Sequence, residues 1–407
     1  MQCRFCKSEL KNSLVSLGAS PLSNRFLKAT ELNRMEPYYP LEVYVCSECF
    51  LVQLDEFESP QNIFTDYSYF SSYSASWLKH CEKYVDSMVD FLKLDANSKV
   101  IEIASNDGYL LQYFIKANIP SLGIEPARNV AEVAKEKGIP TETAFFGIKT
   151  ANNLISKGIQ ADLLLGNNVL AHVPDINDFV RGMKIVLKPQ GVITMEFPHL
   201  MKLIEQVQFD TIYHEHFSYF SFLSVERIFR QHGLVIFDVE ELSTHGGSLR
   251  IYARHEEDTS RIETKKVGKL RDLEELKGYG DLAHYLKFAP KVREIKREIL
   301  KFLILAKEEG KTIVGYGAPA KGNTLLNYCG IRTDFLEYTV DRSPYKQGNF
   351  LPGTRIPIES PEKIYLTRPD YVLILPWNIK EEIMEQLSFI REWNGKFIIP
   401  IPHLEVV

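Results

Sequence analysis

Two Cys-x-x-Cys pairs, Cys3/Cys6 and Cys46/Cys49, constrain the start of this chain more than any other feature. Each pair lets two thiolates meet one ion from a tight turn, and two pairs complete a tetrahedral sulfur shell. The short strand-like runs Leu41-Glu-Val-Tyr-Val-Cys46 and Phe50-Leu-Val-Gln-Leu54 give this region a thin core. A structural metal is the common remedy at that size. The expected ligands are Cys3, Cys6, Cys46 and Cys49 around structural zinc, although residues 7–45 make a longer gap than in common zinc ribbons. With four protein ligands and no open position, the ion would hold the fold and do no chemistry. Neither pair sits on the βαβ pattern of a redox dithiol, and four metal-free reduced cysteines are the remaining alternative. Cys81 and Cys329 stand alone and read as small buried hydrophobes.

The whole chain outgrows one domain: its 407 residues fit two to three, at roughly 100–200 each. The pattern divides into a zinc-binding module over 1–60, a second unit over 61–255 that begins with a Tyr-rich segment at 61–76, and a helical linker with a smaller α/β domain over 256–407. Runs at Val100–Ile103, Ser121–Glu125, Asp162–Leu165 and Gly191–Glu196 alternate with helical patterns. That alternation predicts an α/β fold with a Rossmann-like parallel sheet covered on both faces. A Lys/Glu/Leu-rich stretch from Arg261 to Glu309 reads as long helices. A second alternating series follows, at Lys311–Tyr316, Phe335–Asp341, Tyr371–Leu375 and Lys396–Ile399.

Formal charge is −5, from 48 Lys+Arg against 53 Asp+Glu. No basic surplus points to nucleic acid or to an anionic membrane. No apolar run approaches the ~18–20 residues that span a bilayer, and MQCRFCKSEL lacks the layout of a secretory signal. A cytoplasmic protein is expected. Protein partners are not readable.

The segment Val100-Ile-Glu-Ile-Ala-Ser-Asn-Asp-Gly-Tyr-Leu110 places a strand, a polar turn and a helix in sequence. Dinucleotide proteins carry three glycines in such a turn so that the backbone can approach a pyrophosphate. Here only Gly108 is present, and Glu102 and Asp107 would repel phosphate. An acidic lining suits a cationic ligand without phosphate, such as S-adenosylmethionine (SAM). Glu125, at the end of the next strand, could accept both ribose hydroxyls. Asn106, Asn167 and Asn168 complete the expected cofactor set. NAD is the main competitor, and ordinary α/β scaffolding is the plain alternative.

Asp210-Thr-Ile-Tyr-His-Glu-His-Phe-Ser-Tyr-Phe220 is the strongest single signal. Together with the paired cysteines, EIASNDGYL, LGIEPA, GNNVLAHV, STHGGSLRIY and GYGAPAKGNT, it resembles the three-domain SAM-dependent sugar C-methyltransferases. These methylate a carbon of nucleotide-linked deoxy-ketosugars. The resemblance covers essentially the whole chain in the same order, and it implies that 61–255 is a SAM methyltransferase domain. One departure is Ala104, where many relatives have Gly; it tightens the turn by a methyl group. The resemblance also implies that Tyr213, Glu215 and His216 line the sugar site, that His172 is a further active-site histidine, and that catalytic Tyr67 and substrate-binding Tyr69 belong to a lid. The C-terminal domain would help to hold the sugar nucleotide.

The chemistry can be argued separately. A carbon can attack a methyl group only after an adjacent carbonyl makes its proton acidic, so a base is needed, and histidine has the nearest-to-neutral pKa. His216 is the expected base. Glu215 and Tyr213 would orient it or the sugar, and His172 or a tyrosine would donate to the enolate oxygen. His216 could instead be a hydrogen-bonded core residue. His214 reads as structural, because alternation along an extended segment turns it away from Tyr213 and Glu215; His199 and His232 read as ordinary. On the substrate side, His245 and Ser248 follow a Gly-Gly pair that could also be a plain hairpin. Lys321 and Asn323 lie in a glycine-rich turn suited to a diphosphate, with Arg342 beyond the next strand; a scaffold turn is the alternative. The competing functions are an NAD-dependent sugar-nucleotide epimerase or dehydrogenase, and a non-catalytic zinc-bearing scaffold that binds a sugar nucleotide.

Overall fold

A computed structural model describes residues 1–59 and 71–407, so Tyr67 and Tyr69 lie outside the described residues. The N-terminal module folds as an antiparallel sheet of β1 (Asn12–Ser20), β2 (Tyr39–Val45) and β3 (Val52–Leu54). The inward positions Val43, Val45, Val52 and Leu54 are fully buried.

The central sheet contains β4 (Val100–Ile103), β5 (Ser121–Ile124), β6 (Thr141–Glu142), β7 (Ala161–Asn167), β8 (Leu187–Pro198), β10 (Leu234–Leu242) and β11 (Ser248–His255). Their spatial order is β10-β11-β8-β7-β4-β5-β6. Strands β4 to β8 run parallel, and all four residues of β4 are buried. Such unbroken apolar runs belong to strands covered on both faces, here by helices such as Leu111–Lys116 and Ile176–Val186. Strand β11 is antiparallel to both of its neighbours. The chain leaves β4 toward β5 on one side and returns to β7 on the other. That reversal opens a crevice at the carboxyl ends of β4 and β7, where open α/β sheets bind ligands.

Between β8 and β10 lies β9 (Ser218–Tyr219), which belongs to the other sheet. It pairs antiparallel with β3, Val52 opposite Tyr219 and Gln53 opposite Ser218. The C-terminal sheet, in order β14-β13-β12-β15-β16-β17, is built from β12 (Ile313–Tyr316), β13 (Thr339–Val340), β14 (Ile358–Glu359), β15 (Tyr371–Ile374), β16 (Lys396–Ile399) and β17 (Glu405–Val406). All its pairings are parallel except β16–β17. From this domain, helix Ala320–Cys329 reaches both other modules. Thr324 donates to the Ile212 carbonyl at 2.9 Å, and the Asn323 amide donates to Ser23 at 2.6 Å. Among the described residues no helix is long and apolar enough to cross a membrane.

One buried carboxylate ties the linker helix Lys265–Lys277 to the central domain. Glu274 accepts from the backbone of Phe222 (2.8 Å) and Leu223 (2.9 Å) and from His199 Nε2 (2.6 Å). The two amides open helix Phe222–Gln231, so they have no partner inside that helix. Replacing Glu274 by Ala strands all three donors in a dry interior and should cost about 3–5 kcal/mol, read as a lower midpoint in urea unfolding. An unchanged midpoint would contradict this account.

Candidate active site

The turn after β4 curls sharply, with φ +56° at Ala104, +49° at Asn106 and +76° at Gly108; Asn168, at the end of β7, has φ +55°. Left-handed backbone costs an ordinary L-residue roughly 1–2 kcal/mol. Both strand ends beside the crevice therefore hold strain, a feature that clusters at functional sites. Ala104 occupies one of these positions, where glycine would sit without penalty.

Glu125 organises the turn by accepting from the backbone of Asn106 (2.9 Å) and Ala127 (2.8 Å). Burial lifts its carboxyl to about 7 against the pull of these two bonds. Asp107 is held by Lys137 at 3.0 Å and by the Ser72 hydroxyl, while the Ser71 amide donates to Asn106 Oδ1 at 2.9 Å. Ser71 and Ser72, within the Tyr-rich segment, thus fasten it onto the turn. Glu102 is fully buried, which raises its carboxyl well above the usual range, with the Tyr109 hydroxyl opposing the rise. Burial thus works against the charged lining that the sequence suggested.

Asp107 Oδ1, Asn167 Nδ2 and Asn168 Oδ1 are buried with no hydrogen-bond partner among the described residues. Unspent hydrogen-bonding capacity at adjacent strand ends fits a bound polar cofactor.

The segment after Asp210 places two imidazoles together. Tyr213 to His216 is a turn, closed by the His216 amide on the Tyr213 carbonyl at 2.9 Å. His216 Nδ1 donates to the Thr211 carbonyl at 3.1 Å, so its other nitrogen, Nε2, is the acceptor for the Tyr213 hydroxyl at 2.8 Å. His172 Nδ1 donates to the Glu215 carbonyl at 2.7 Å, and its ring meets that of His216 edge-on with centroids 4.7 Å apart. The Glu215 side chain reaches the other way and accepts from Asn24 at 2.7 Å. His214 donates to the Pro40 carbonyl at 3.1 Å and packs on Tyr39 and Phe57. It is structural as expected, but the reason is this turn and not strand alternation.

Burial pushes both catalytic candidates down, His172 to about 4 and His216 well below the ordinary histidine value. Charge on His172, His245 or Lys321 would lower His216 further. The free protein thus holds neutral imidazoles rather than a base poised near neutrality.

Lys321 is placed over the Trp377 ring at 4.7 Å and donates to Asn378; burial lowers its ammonium to about 8, with Asp210 opposing. Asp210 accepts from the Trp377 indole at 2.6 Å, and burial raises it to about 6. His245, itself lowered to about 4 by burial, meets Trp77 edge-on at 5.1 Å.

The other expected substrate residues have partners within the protein. Ser248 donates back to the Thr244 carbonyl at 3.0 Å; Asn323 donates to the Ser23 carbonyl, while its Oδ1 is buried without a partner among the described residues. Arg342 is largely exposed and lies 3.8 Å from Glu382. In the glycine-rich turn, the Ala318 amide is already bonded to Asp341 at 2.8 Å, which takes one of the donors expected to hold a diphosphate.

Several residues at the site gave no warning in the sequence. Glu196, near the end of β8, is fully buried and bonds to Arg250 (2.6 Å), His80 (3.0 Å) and Thr244 (2.9 Å). These partners overcome its burial and hold it at about 2. Asn24 and Trp377 come from the flanking modules. Each is one polar or aromatic residue in a loop or short helix, without local pattern.

The four sulfurs of Cys3, Cys6, Cys46 and Cys49 lie within 4.8 Å of one another, with Cys3–Cys49 and Cys6–Cys46 both at 3.5 Å. Bonds of ~2.3 Å from a tetrahedral zinc would set its sulfurs about 3.8 Å apart, so the cluster fits that ion.

Family models match three stretches: a zinc binding domain at 3–64, a methyltransferase domain at 77–239 and a C-methyltransferase C-terminal domain at 243–402. The chain is 35% identical over 406 residues to the C-methyltransferase NovU of Streptomyces niveus, covering 100% of this chain and 96% of that protein. It is 25% identical over 141 residues to a ubiquinone biosynthesis O-methyltransferase of Bartonella tribocorum, covering 34% of this chain and 57% of that one. Among solved structures, an S-adenosylmethionine-dependent methyltransferase from Clostridium acetobutylicum matches with a TM-score of 0.36 at 12% identity, over 44% of this chain and 92% of that one. That last likeness is too low to carry an argument.

Protein purified without chelator should contain about one zinc per chain, and stripping the metal should lower the unfolding temperature. A metal-to-protein ratio near zero would refute the site.

Proposed function

The chain belongs to the C-methyltransferase family, and on that premise we propose that it methylates the carbon beside the keto group of a nucleotide-diphosphate deoxy-ketosugar. The observation that carries this reading is the hydrogen-bonded Tyr213–His216 pair, set between the SAM-type crevice and the C-terminal domain. SAM, when bound, supplies an electrophilic methyl on a sulfonium; Asp107, Gly108, Glu125, Asn167 and Asn168 would hold it.

The protein's own task is to take a proton from carbon. His216 is buried and Tyr213 half-buried, and we take the phenol as the member of the pair that meets the substrate. In our reading the substrate proton passes to the phenolic oxygen as the phenolic proton moves to His216 Nε2. The bond from Nδ1 to the Thr211 carbonyl fixes the tautomer and stabilises the imidazolium that forms. Glu215 holds His172 in place through its carbonyl, and Asn24 holds the Glu215 side chain. Negative charge grows on the keto oxygen as the proton leaves, and the Lys321 ammonium offers the positive charge to meet it. His245 would add a donor on the same side.

Labelled SAM incubated with a panel of 4-keto-6-deoxy sugar nucleotides should place label on carbon, and no carbon-bound label from any of them counts against the proposal. His216→Asn should lower turnover at least about 100-fold while SAM affinity stays near normal; parallel loss of SAM binding would mean that the residue shapes the pocket instead. The pH dependence has a defined sign. A depressed histidine stays neutral, and so able to accept a proton, until the pH falls below its folded pKa. The acid limb of kcat/KM should therefore lie below the ordinary histidine value of roughly 6.5, and a limb at or above it would contradict this electrostatic account.

A further inference from the structure

Arg4 stands between two zinc ligands, Cys3 and Cys6, yet its side chain turns inward and is only 8% exposed. Its Nε donates to the Phe217 carbonyl at 3.3 Å, Nη1 to the Pro174 carbonyl at 3.0 Å, and Nη2 to the Leu54 carbonyl. The guanidinium also lies over the Phe217 ring, 5.0 Å from its centroid. Phe217 directly follows His216, and Pro174 is two residues beyond His172. The Phe217 amide closes the circuit by donating to the Ala171 carbonyl at 2.8 Å. One planar fork thus bridges both histidine-bearing segments and the last strand of the zinc module.

The backbone of the knuckle is pinned to the same surface. The Arg4 amide donates to Gln53 Oε1 at 2.8 Å, and Asn177 donates to the Arg4 and Phe5 carbonyls at 3.1 and 3.0 Å. The carboxylate of Glu56 stands 4.0 Å away and is 40% exposed, so carbonyl oxygens do most of the holding. Five donors in a rigid fork suit that geometry, and lysine could not reproduce it.

We propose that Arg4 is a positioning residue for the proton transfer: the metal knuckle fixes the guanidinium, and the guanidinium sets the spacing of the His172 and His216 segments. The inference rests on the reading of Tyr213–His216 as the proton-accepting pair. Arg4 touches neither substrate nor cofactor. It acts through Phe217 and Pro174: without the fork the Pro174 carbonyl loses its donor, and the Phe217 carbonyl keeps only the Leu54 amide at 3.0 Å.

The test compares full-length, zinc-loaded wild type with Arg4→Gln and Arg4→Lys, using labelled SAM and the sugar-nucleotide panel. Arg4→Gln should keep its zinc and bind SAM within about twofold of wild type. Its kcat should fall about 10- to 100-fold, since misplacing a catalytic group by about 1 Å costs that much, with KM little changed. Hydrogen exchange should quicken in peptides spanning 171–174 and 214–219 and stay unchanged in β4 and β7. Arg4→Lys should recover only part of kcat, and it carries the exchange measurement if the glutamine variant is insoluble. Wild-type kcat and exchange in the variants would overturn the proposal, as would a loss of kcat that tracks lost zinc with exchange at 214–219 unaltered. A wild type that methylates none of the panel speaks against the proposed function, while the exchange comparison still decides the role of Arg4.

Discussion

The pairing of β3 with β9 is the contact on which the arrangement of this molecule depends. The segment 211–220 has almost no regular structure of its own. Its end, Ser218–Tyr219, pairs with the edge of the zinc module's sheet, its start is bonded through Ile212 to a helix of the C-terminal domain, and Phe217 joins it to the connection after β7. The Tyr213–His216 pair is thus a product of three modules meeting, and each supplies part of the restraint that keeps Tyr213, His216 and His172 in register.

Burial sets the electrical character of this junction. Glu102 and Glu125 are pushed toward their neutral forms, His172 and His216 are kept neutral, and Lys321 is weakened as an acid's counter-charge. Glu196 stays charged, and it does so with three partners, Arg250, His80 and Thr244. A low-dielectric cleft with few fixed charges makes each remaining charge act over a longer range, which is the setting in which an enolate can be stabilised by one ammonium group.

Much of the frame was legible in the sequence because its signals are local. The cysteine pairs have ligand spacing, β4 is an unbroken apolar run before a polar turn, and strand and helix patterns alternate in two series. Geometry that depends on distant segments was not legible. The acidic turn suggests a charged Glu102, yet only the surrounding packing reveals the burial that opposes that charge. The YHEH segment reads like a strand, whereas Tyr213 to His216 is a turn; His214 faces Pro40 for that reason. Arg342 and Ser248 carry the right chemistry on the right stretch of chain, but one points to solvent and the other bonds to its own loop. Asn24, Glu196 and Trp377 sit in no motif, so only folding reveals them. The left-handed φ at Ala104 is likewise invisible in the sequence, which shows only the alanine.

A strand shared across a module boundary also has an evolutionary consequence. Because β9 is encoded within the methyltransferase stretch but hydrogen-bonds to the metal-bearing front, neither part can be exchanged for a foreign counterpart without leaving a raw sheet edge beside the reacting groups. Gene shuffling that swaps whole modules is thereby discouraged. New specificities in such a lineage are expected to arise by point changes around the three-part seam.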